Sequence, residues 1–413
     1  MTRQIGDRAV VLGASMAGLL AAQVLADAYG QVTVIDRDEL PMTPMHRRGV
    51  PHGRHLHALA ARGQQALDEL FGGLTAELVA HGAPAGNLLT DARLYLSGHR
   101  LRQVDTGLVL LCASRPFLEG HVRARVRALP NVRFLDRRDI VGLATTPDGR
   151  RVTGARVLRR ADGSAEEVLG ADLAVLQAAT PQHPRTGAIQ ALEGDRWMLT
   201  LAGILGDHPP TDPDGFLAFA RSLRFPDIHQ AIRDAEPLDD PVGFRFPASV
   251  RHRYERLDRF SDGLLVLGDA VASFNPIYGQ GMSVATVEAL ALRRHLEGGI
   301  EPQPRRWFRD LARVVDVPWG MSAGGDLVFP GVQGRRTLKV RLASVYLARL
   351  HAAAAHDDDL AIAFIRVAGL VAPPQSLLRP GIVLRVLSRR NANGRAPSGR
   401  PSGPATPAST STS

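Results

Sequence analysis

Arg8-Ala9-Val10-Val11-Leu12-Gly13-Ala14-Ser15-Met16-Ala17-Gly18-Leu19-Leu20, continued by Val32-Thr33-Val34-Ile35-Asp36, is the stretch that decides the fold. Residues 8–12 read as a short buried strand, 16–28 as a helix rich in Ala and Leu, and 32–35 as the next strand. Gly13, Ser15 and Gly18 occupy the three small-residue positions of a dinucleotide-binding turn. The first allows a tight turn, the second lets the backbone approach a pyrophosphate, and the third lets the helix pack against the strand. Ser15 stands where glycine is usual, and its hydroxyl can itself bond a phosphate. The helix that follows points its positive end at the same place. Asp36, at the end of the second strand, is placed to accept from a ribose hydroxyl.

Two other readings of this stretch fail. A nucleophile elbow needs glycine two residues after its serine, but Ala17 is there, and the elbow belongs after several earlier strands. A signal peptide would explain Arg3 and Arg8 ahead of the apolar run Ala9–Ala28, with Ala26-Asp27-Ala28 imitating a cleavage site. It does not explain the interruptions at Gly13, Ser15 and Gly18, or the strand that follows with an acid at its end.

Composition sets the wider frame. With 413 residues, 45% hydrophobic and 22% charged, the chain can bury a large core in two closely packed domains. Cys112 is the single cysteine, which excludes a disulfide framework and a cysteine-rich metal site and fits a reducing, cytoplasmic compartment. The net charge of +9 comes almost wholly from scattered arginines, with short pairs such as Arg47-Arg48 and Arg335-Arg336. Without a concentrated basic patch, and with 5% aromatic residues, no nucleic-acid partner is expected. His55 and His57 lack a third ligand and have an unsuitable spacing for one helix face, so no metal is expected.

Farther along, 54–71 reads as helical and 93–103 as a strand pair turning at Ser97-Gly98. Residues 117–129 read as a helix, and 132–135, 152–159 and 171–176 as strands, with Asp162-Gly163 as a hairpin turn. Trp197–Ala202 alternates like a sheet strand, and Asp212–Ala235 is helical with a break at Pro226. Leu264–Leu267 reads as a buried strand, while Ser283–Leu296, 304–315, 336–357 and 359–371 read as helices. Residues 391–413 are rich in Ser, Pro, Thr, Gly and Asn without periodicity, a composition that cannot order itself.

A second chemical motif lies in the later part. The apolar run Leu264-Leu265-Val266-Leu267 delivers Gly268-Asp269-Ala270 to a turn. Pro276 and then Gly279-Gln280-Gly281-Met282 follow, opening a helix. An aspartate at such a turn can accept from sugar hydroxyls, and a glycine loop at a helix start can present N–H groups to an anion or a polarised carbonyl.

Gly268-Asp269-Ala270, Pro276 and Gly279-Gln280-Gly281-Met282 resemble the second FAD motif of the aromatic-ring hydroxylase class of flavoprotein monooxygenases, a pattern also found in squalene epoxidases. The resemblance narrows at Arg48-Gly49-Val50-Pro51-His52-Gly53-Arg54-His55-Leu56-His57 and at Ser114-Arg115-Pro116-Phe117-Leu118-Glu119, which are similar to segments of actinomycete polyether epoxidases. It implies that Asp269 binds the ribityl chain, that the helix start at Gly279, Gly281 and Met282 faces the flavin's pyrimidine edge with Pro276 in the same cofactor-binding motif, and that Arg115 contacts FAD; Arg37, just after Asp36, is placed to lie by the adenine.

The resemblance breaks at one place. The third cofactor segment of that class is a strand ending in an Asp-Ala-Thr-Gly-like turn. Here Ala171-Asp172-Leu173-Ala174-Val175 runs into Leu176-Gln177-Ala178-Ala179-Thr180-Pro181, with leucine at the acid position and no glycine after it. Family-like sequence resumes at Gly187, so several tens of residues of the usual substrate-domain sheet are absent.

The fold expected is α/β: a Rossmann-like FAD-binding domain (1–76, 105–186 and 256–300), interleaved with a shortened β-sheet substrate domain (77–104 and 187–255). A helical carboxyl-terminal region (301–390) and a disordered tail (391–413) complete it; the helices could rest on a membrane surface or cover the core. The resemblance implies an FAD-dependent monooxygenase in which NAD(P)H or a flavin reductase supplies electrons and a flavin C4a-hydroperoxide delivers oxygen to a small apolar natural-product intermediate, as epoxidation or hydroxylation. Candidates for the substrate wall are Trp197, Phe244, Phe246, Trp319 and Phe329. An FAD-dependent reductase or dehydrogenase of the same fold, and a catalytically impaired FAD-fold protein with a binding role, remain as alternatives.

Overall fold

The computed structural model of the chain describes residues 4–57, 59–159, 174–177, 180–297 and 301–388. It opens with strand β1 (Gly6–Leu12), helix α1 (Met16–Ala26) and strand β2 (Tyr29–Ile35). β1 and β2 run parallel, with Val10 opposite Thr33 and Leu12 opposite Ile35. Helices α2 (Ala61–Leu70) and α3 (Leu74–Ala80) follow. Short strands β3 (Ala85–Asn87), β4 (Ala92–Leu96), β5 (His99–Arg100) and β6 (Val109–Leu111) come next, with β4 and β5 joined at Ser97-Gly98, both in positive φ. Helix α4 (Arg115–Arg127) leads to β7 (Val132–Leu135), which pairs parallel with β2. This β1-β2-β7 sheet carries the glycine turn read from the sequence.

Strands β8 (Arg138–Thr145) and β9 (Val152–Arg159) form an antiparallel hairpin. Its turn lies at Asp148-Gly149, where Gly149 has φ 68°; the turn expected at Asp162-Gly163 lies outside the described residues. β8 was not anticipated, because its side chains are half-exposed or exposed throughout and give no apolar alternation.

Strand β10 (Ala174–Gln177) departs from the expectation for a cofactor-sheet strand. It lies between β4 and β11 (Arg185–Leu192), in the sheet that continues to β12 (Arg196–Gly203). Gln177 pairs antiparallel with Gly187, and β10 runs parallel to β4. The cause is chain length: a short link joins antiparallel neighbours, whereas a parallel partner or another sheet needs a long connection. Among the described residues no strand pairs with the outer edge of β1, where Val10 and Leu12 are 43% and 39% exposed.

Helices α5 (Pro213–Arg221) and α6 (Asp227–Ile232) pack on that second sheet, where Ile189, Leu201, Phe219 and Ile228 form a core of their own. Strands β13 (Val250–Arg251) and β14 (Ala272–Ser273) form a small pair around the late motif. The expected strand at Leu264–Leu267 is not one. Its residues are half-buried and outside any strand pairing, and the Val266 carbonyl accepts instead from the Trp307 indole N–H at 2.9 Å. β10 lies in the other sheet, and among the described residues no strand pairs with this segment.

Helices α7 (Gly281–Leu296), α8 (Pro304–Asp326), α9 (Leu338–Ala354), α10 (Asp358–Ala368) and α11 (Pro380–Ser388) make up the remainder. α8 runs farther than the 304–315 read from sequence. α7 packs against α1 and α2, burying Val284, Ala289, Leu290 and Leu292 with Leu19, Leu20, Val32 and Trp307. Full burial of each large apolar side chain contributes roughly 1.5–3 kcal/mol, so this shared core firmly holds the starts of α1 and α7 in place. No helix among the described residues is long and apolar enough to cross a membrane. Residues 391–413 lie outside the described residues.

Candidate functional site

The first wall of the site is the turn between β1 and α1. Gly13 has φ 96°, a conformation open to glycine, and its N–H donates to the Ile35 carbonyl at 2.7 Å. A Cβ on Gly18 would stand 1.8 Å from the Gly13 carbonyl oxygen, so the third glycine is required for α1 to approach the turn. Asp36 Oδ2 accepts from the Ala14 N–H at 2.6 Å and Oδ1 from the Asp38 N–H at 2.8 Å.

Beneath this turn lies a buried ionic network that sequence reasoning missed. Arg47 donates to Glu119 Oε1 from Nε (2.9 Å) and Nη2 (2.7 Å), to Asp36 Oδ1 (3.4 Å) and to the Ala14 carbonyl (3.3 Å). Arg115 donates to Glu119 Oε2 at 3.1 Å and to Ser15 Oγ at 2.7 Å, and Arg123 donates to Glu119 Oε1 at 3.4 Å. Glu119, 4% exposed, thus gathers three buried guanidiniums. Two of them hold the glycine turn, one through Asp36 and Ala14 and one through Ser15. Burial lowers the Arg123 guanidinium to about 10 despite Glu119. A signal for the network was present: Arg115, Glu119 and Arg123 recur every four residues, which stacks them on one helix face.

The second wall is the late motif. Gly268 has φ 69°, and a Cβ on it would come within 2.7 Å of Ala17 Cβ, so the two motifs meet directly at the start of α1. Glu288 of α7, fully buried, accepts from the Gly268 N–H at 2.6 Å. Burial, with a smaller push from Asp269, raises the Glu288 carboxyl to about 7. Gly279 has φ 61° and passes the chain into α7, whose N-cap is Gln280.

Between these walls opens a cleft of about 4390 Å³. Gly13, Ser15, Gly18, Arg115, Asp269, Pro276, Gly279, Gly281 and Met282 line it together. Asp36 and Arg37 lie outside its lining: Asp36 is turned into the network, and the exposed Arg37 guanidinium stands 3.7 Å from Asp38. Trp197, Phe244, Phe246, Trp319 and Phe329 lie on the wall. His46 and His55 also line it, and burial lowers both imidazoles, with Arg54 adding to the effect at His46. Among the described residues no three His, Cys, Asp or Glu side chains converge as metal ligands. The cleft is several times larger than an ordinary small-molecule pocket of roughly 300–1,000 Å³.

The residues fit a dinucleotide. A Cβ at Gly13 or Gly281 would meet nothing within 4 Å, so both backbones face open space. α1 and α7 start without a side-chain cap, leaving their positive ends to the cleft. Gln280 Oε1, on a residue at 5% exposure, is buried without a hydrogen-bond partner among the described residues. An orphaned acceptor at a helix start is a place for a ligand donor.

This fold is that of the FAD-dependent monooxygenases. It is similar to PqsL of Pseudomonas aeruginosa, described as a probable FAD-dependent monooxygenase (TM-score 0.51, 17% identity, 86% of this chain and 98% of that one). It is also similar to the flavin-dependent brominase Bmp2 (TM-score 0.63, 15% identity, 95% and 100%). The chain belongs to the family of Protein Rv3254 of Mycobacterium tuberculosis, to which it is 35% identical over 402 residues, spanning 80% of this chain and 82% of that protein. The aligned span exceeds four-fifths of 413 residues, so that relative carries stretches absent here. The chain is also 27% identical to the kynurenine 3-monooxygenase of Salinispora tropica over 69% of this chain and 72% of that protein. No family model matches the chain.

Proposed function

We propose that the chain is an FAD-dependent monooxygenase acting on an apolar natural-product intermediate, by epoxidation or hydroxylation, with NAD(P)H or a flavin reductase as electron source. The observation that carries this reading is the meeting of the Gly13–Gly18 turn and the Gly268–Met282 loop on one cleft, with two uncapped helix starts facing it.

In this reading Gly13, Ser15 and Gly18 take the pyrophosphate and Arg115 supplies a cation beside it. Asp269 fixes the ribityl chain, and Gly279, Gly281 and Met282 take the pyrimidine edge, where the positive end of α7 stabilises negative charge. Asp36 acts one step back from the ligand, through the Ala14 N–H. Arg37 reaches the adenine by turning from Asp38. Bound FAD supplies electron transfer and oxygen activation. The protein's part is to orient the cofactor, keep the apolar wall of Trp197, Phe244 and Trp319 dry, and hold the substrate against it. The test is O₂ consumption in step with NAD(P)H oxidation and with an apolar polyene or polyketide substrate. Reduction of substrate without O₂ uptake would instead mark a reductase or dehydrogenase.

A second reading has its own observation. β10 lies in the substrate-side sheet and the outer edge of β1 is open among the described residues. A protein that binds FAD but is impaired in turnover would have this arrangement. Stoichiometric flavin with no NAD(P)H oxidation, with or without an added reductase, would favour it.

A further inference from the structure

We infer that Asp326, the last residue of α8, is a positioning residue that holds the cofactor-facing loop Asn275–Gly279 in its binding shape. Asp326 Oδ1 accepts from Asn275 Nδ2 at 2.8 Å and from the Tyr278 hydroxyl at 3.1 Å. Its Oδ2 accepts from Ser249 Oγ at 3.4 Å, and that hydroxyl oxygen accepts from the Asn275 N–H at 3.2 Å. One carboxylate therefore grips both ends of the loop and the strand-side segment beside it.

The rest of the loop is built around this grip. Asn275 Oδ1 caps the turn by accepting from the Ile277 N–H at 3.2 Å, which fixes the amide so that its nitrogen faces Asp326. Burial, and after it the Asp326 charge, raises the Tyr278 phenol, so it stays protonated and donates. Gly325 makes the room: a Cβ there would come within 2.4 Å of the Tyr278 oxygen. The loop then turns through Gly279 in positive φ and delivers Gln280 and Gly281 to the start of α7. Asn275, Tyr278, Gly281 and Asp326 line the same cleft. A carboxyl-terminal helix thereby sets where the first N–H groups of α7 point.

The inference rests on the proposed function for its consequence and on the loop geometry for itself, and the experiment separates the two. Hydrogen exchange of residues 275–281 and fluorescence titration with FAD are measured on the full chain and on Asp326→Ala, Asp326→Asn and Tyr278→Phe. In Asp326→Ala the loop amides are expected to exchange about tenfold faster or more, with the interior amides of α1 unchanged, and FAD affinity to fall about tenfold. Asp326→Asn keeps one carbonyl acceptor and should fall between that variant and the parent. Tyr278→Phe removes a single bond and gives the same direction if Asp326→Ala does not fold. Parent-like loop exchange in these variants overturns the inference. So does a loosened loop with unchanged FAD affinity. If the parent itself binds no FAD, the proposed function fails, and the exchange arm alone still decides whether Asp326 holds the loop.

Discussion

The Asp36 carboxylate accepts from the Ala14 N–H at 2.6 Å, tying the end of β2 to the middle of the β1–α1 turn. The acid at the strand end thus holds the backbone of the glycine turn in shape. Asp36→Ala leaves the buried Ala14 N–H without a partner and removes one anion from Arg47. The expected cost is about 1–3 kcal/mol of stability, together with weaker FAD binding. Asp36→Asn, which retains an acceptor for Ala14, should lose less of both. Thermal melting and FAD titration of the two variants check this; equal losses would show that the charge, rather than the bond to Ala14, is what matters.

Glu119 is the anion on which Arg47, Arg115 and Arg123 converge. Glu119→Ala leaves three buried cations without it, and removing one partner of a buried pair costs about 3–5 kcal/mol. Loss of most soluble folded protein is expected, with a large drop in melting temperature in what remains. Glu119→Met, close in shape but uncharged, should fare no better. A Glu119→Ala protein that melts like the parent would show that the network is not needed for stability.

Gly18 and Gly72 form a matched pair. A Cβ on Gly18 meets the Gly13 carbonyl oxygen, whereas a Cβ on Gly72 meets nothing within 4 Å. Gly18→Ala should therefore destabilise by about 1–3 kcal/mol and abolish flavin retention, because α1 must move away from the turn. Gly72→Ala should leave both within error of the parent. Circular-dichroism melting and bound-flavin absorbance distinguish them.

Glu288 gives a pH signature. Its folded-state carboxyl stands at about 7 against an ordinary 4.5, chiefly through burial. The folded state therefore holds a proton that the unfolded chain releases between those values. Stability should fall as pH rises from 4.5 to 7, and the loss should be complete above 7. Glu288→Gln keeps an acceptor for the Gly268 N–H but cannot ionise, so its melting temperature should depend less on pH across that window. A variant with the same pH slope as the parent would mean that Glu288 is ionised in the fold.

The β1–α1–β2 unit was legible in the sequence because a tight turn, a close helix and a strand-end acid impose residue types at fixed spacing. Gly13, Gly18 and Asp36 each carry a local steric or hydrogen-bonding duty. Arg47 was not legible: beside Arg48 it was one short pair among scattered arginines, and only the fold brings it to Glu119, 72 residues away. Asp326 was invisible for the same reason, since its partners lie 48 to 77 residues earlier. The strand expected at Leu264–Leu267 failed because a strand needs neighbours as well as apolar residues. β10 pairs with β4 and β11 in the other sheet, so it is no neighbour to this segment.

The visible absorption spectrum of the purified full chain, taken before and after denaturation and filtration, tests the central claim most directly. A yellow protein that releases close to one FAD per chain is the expected result. A colourless protein that is well folded, and that takes up no FAD when the cofactor is added in excess, would contradict it.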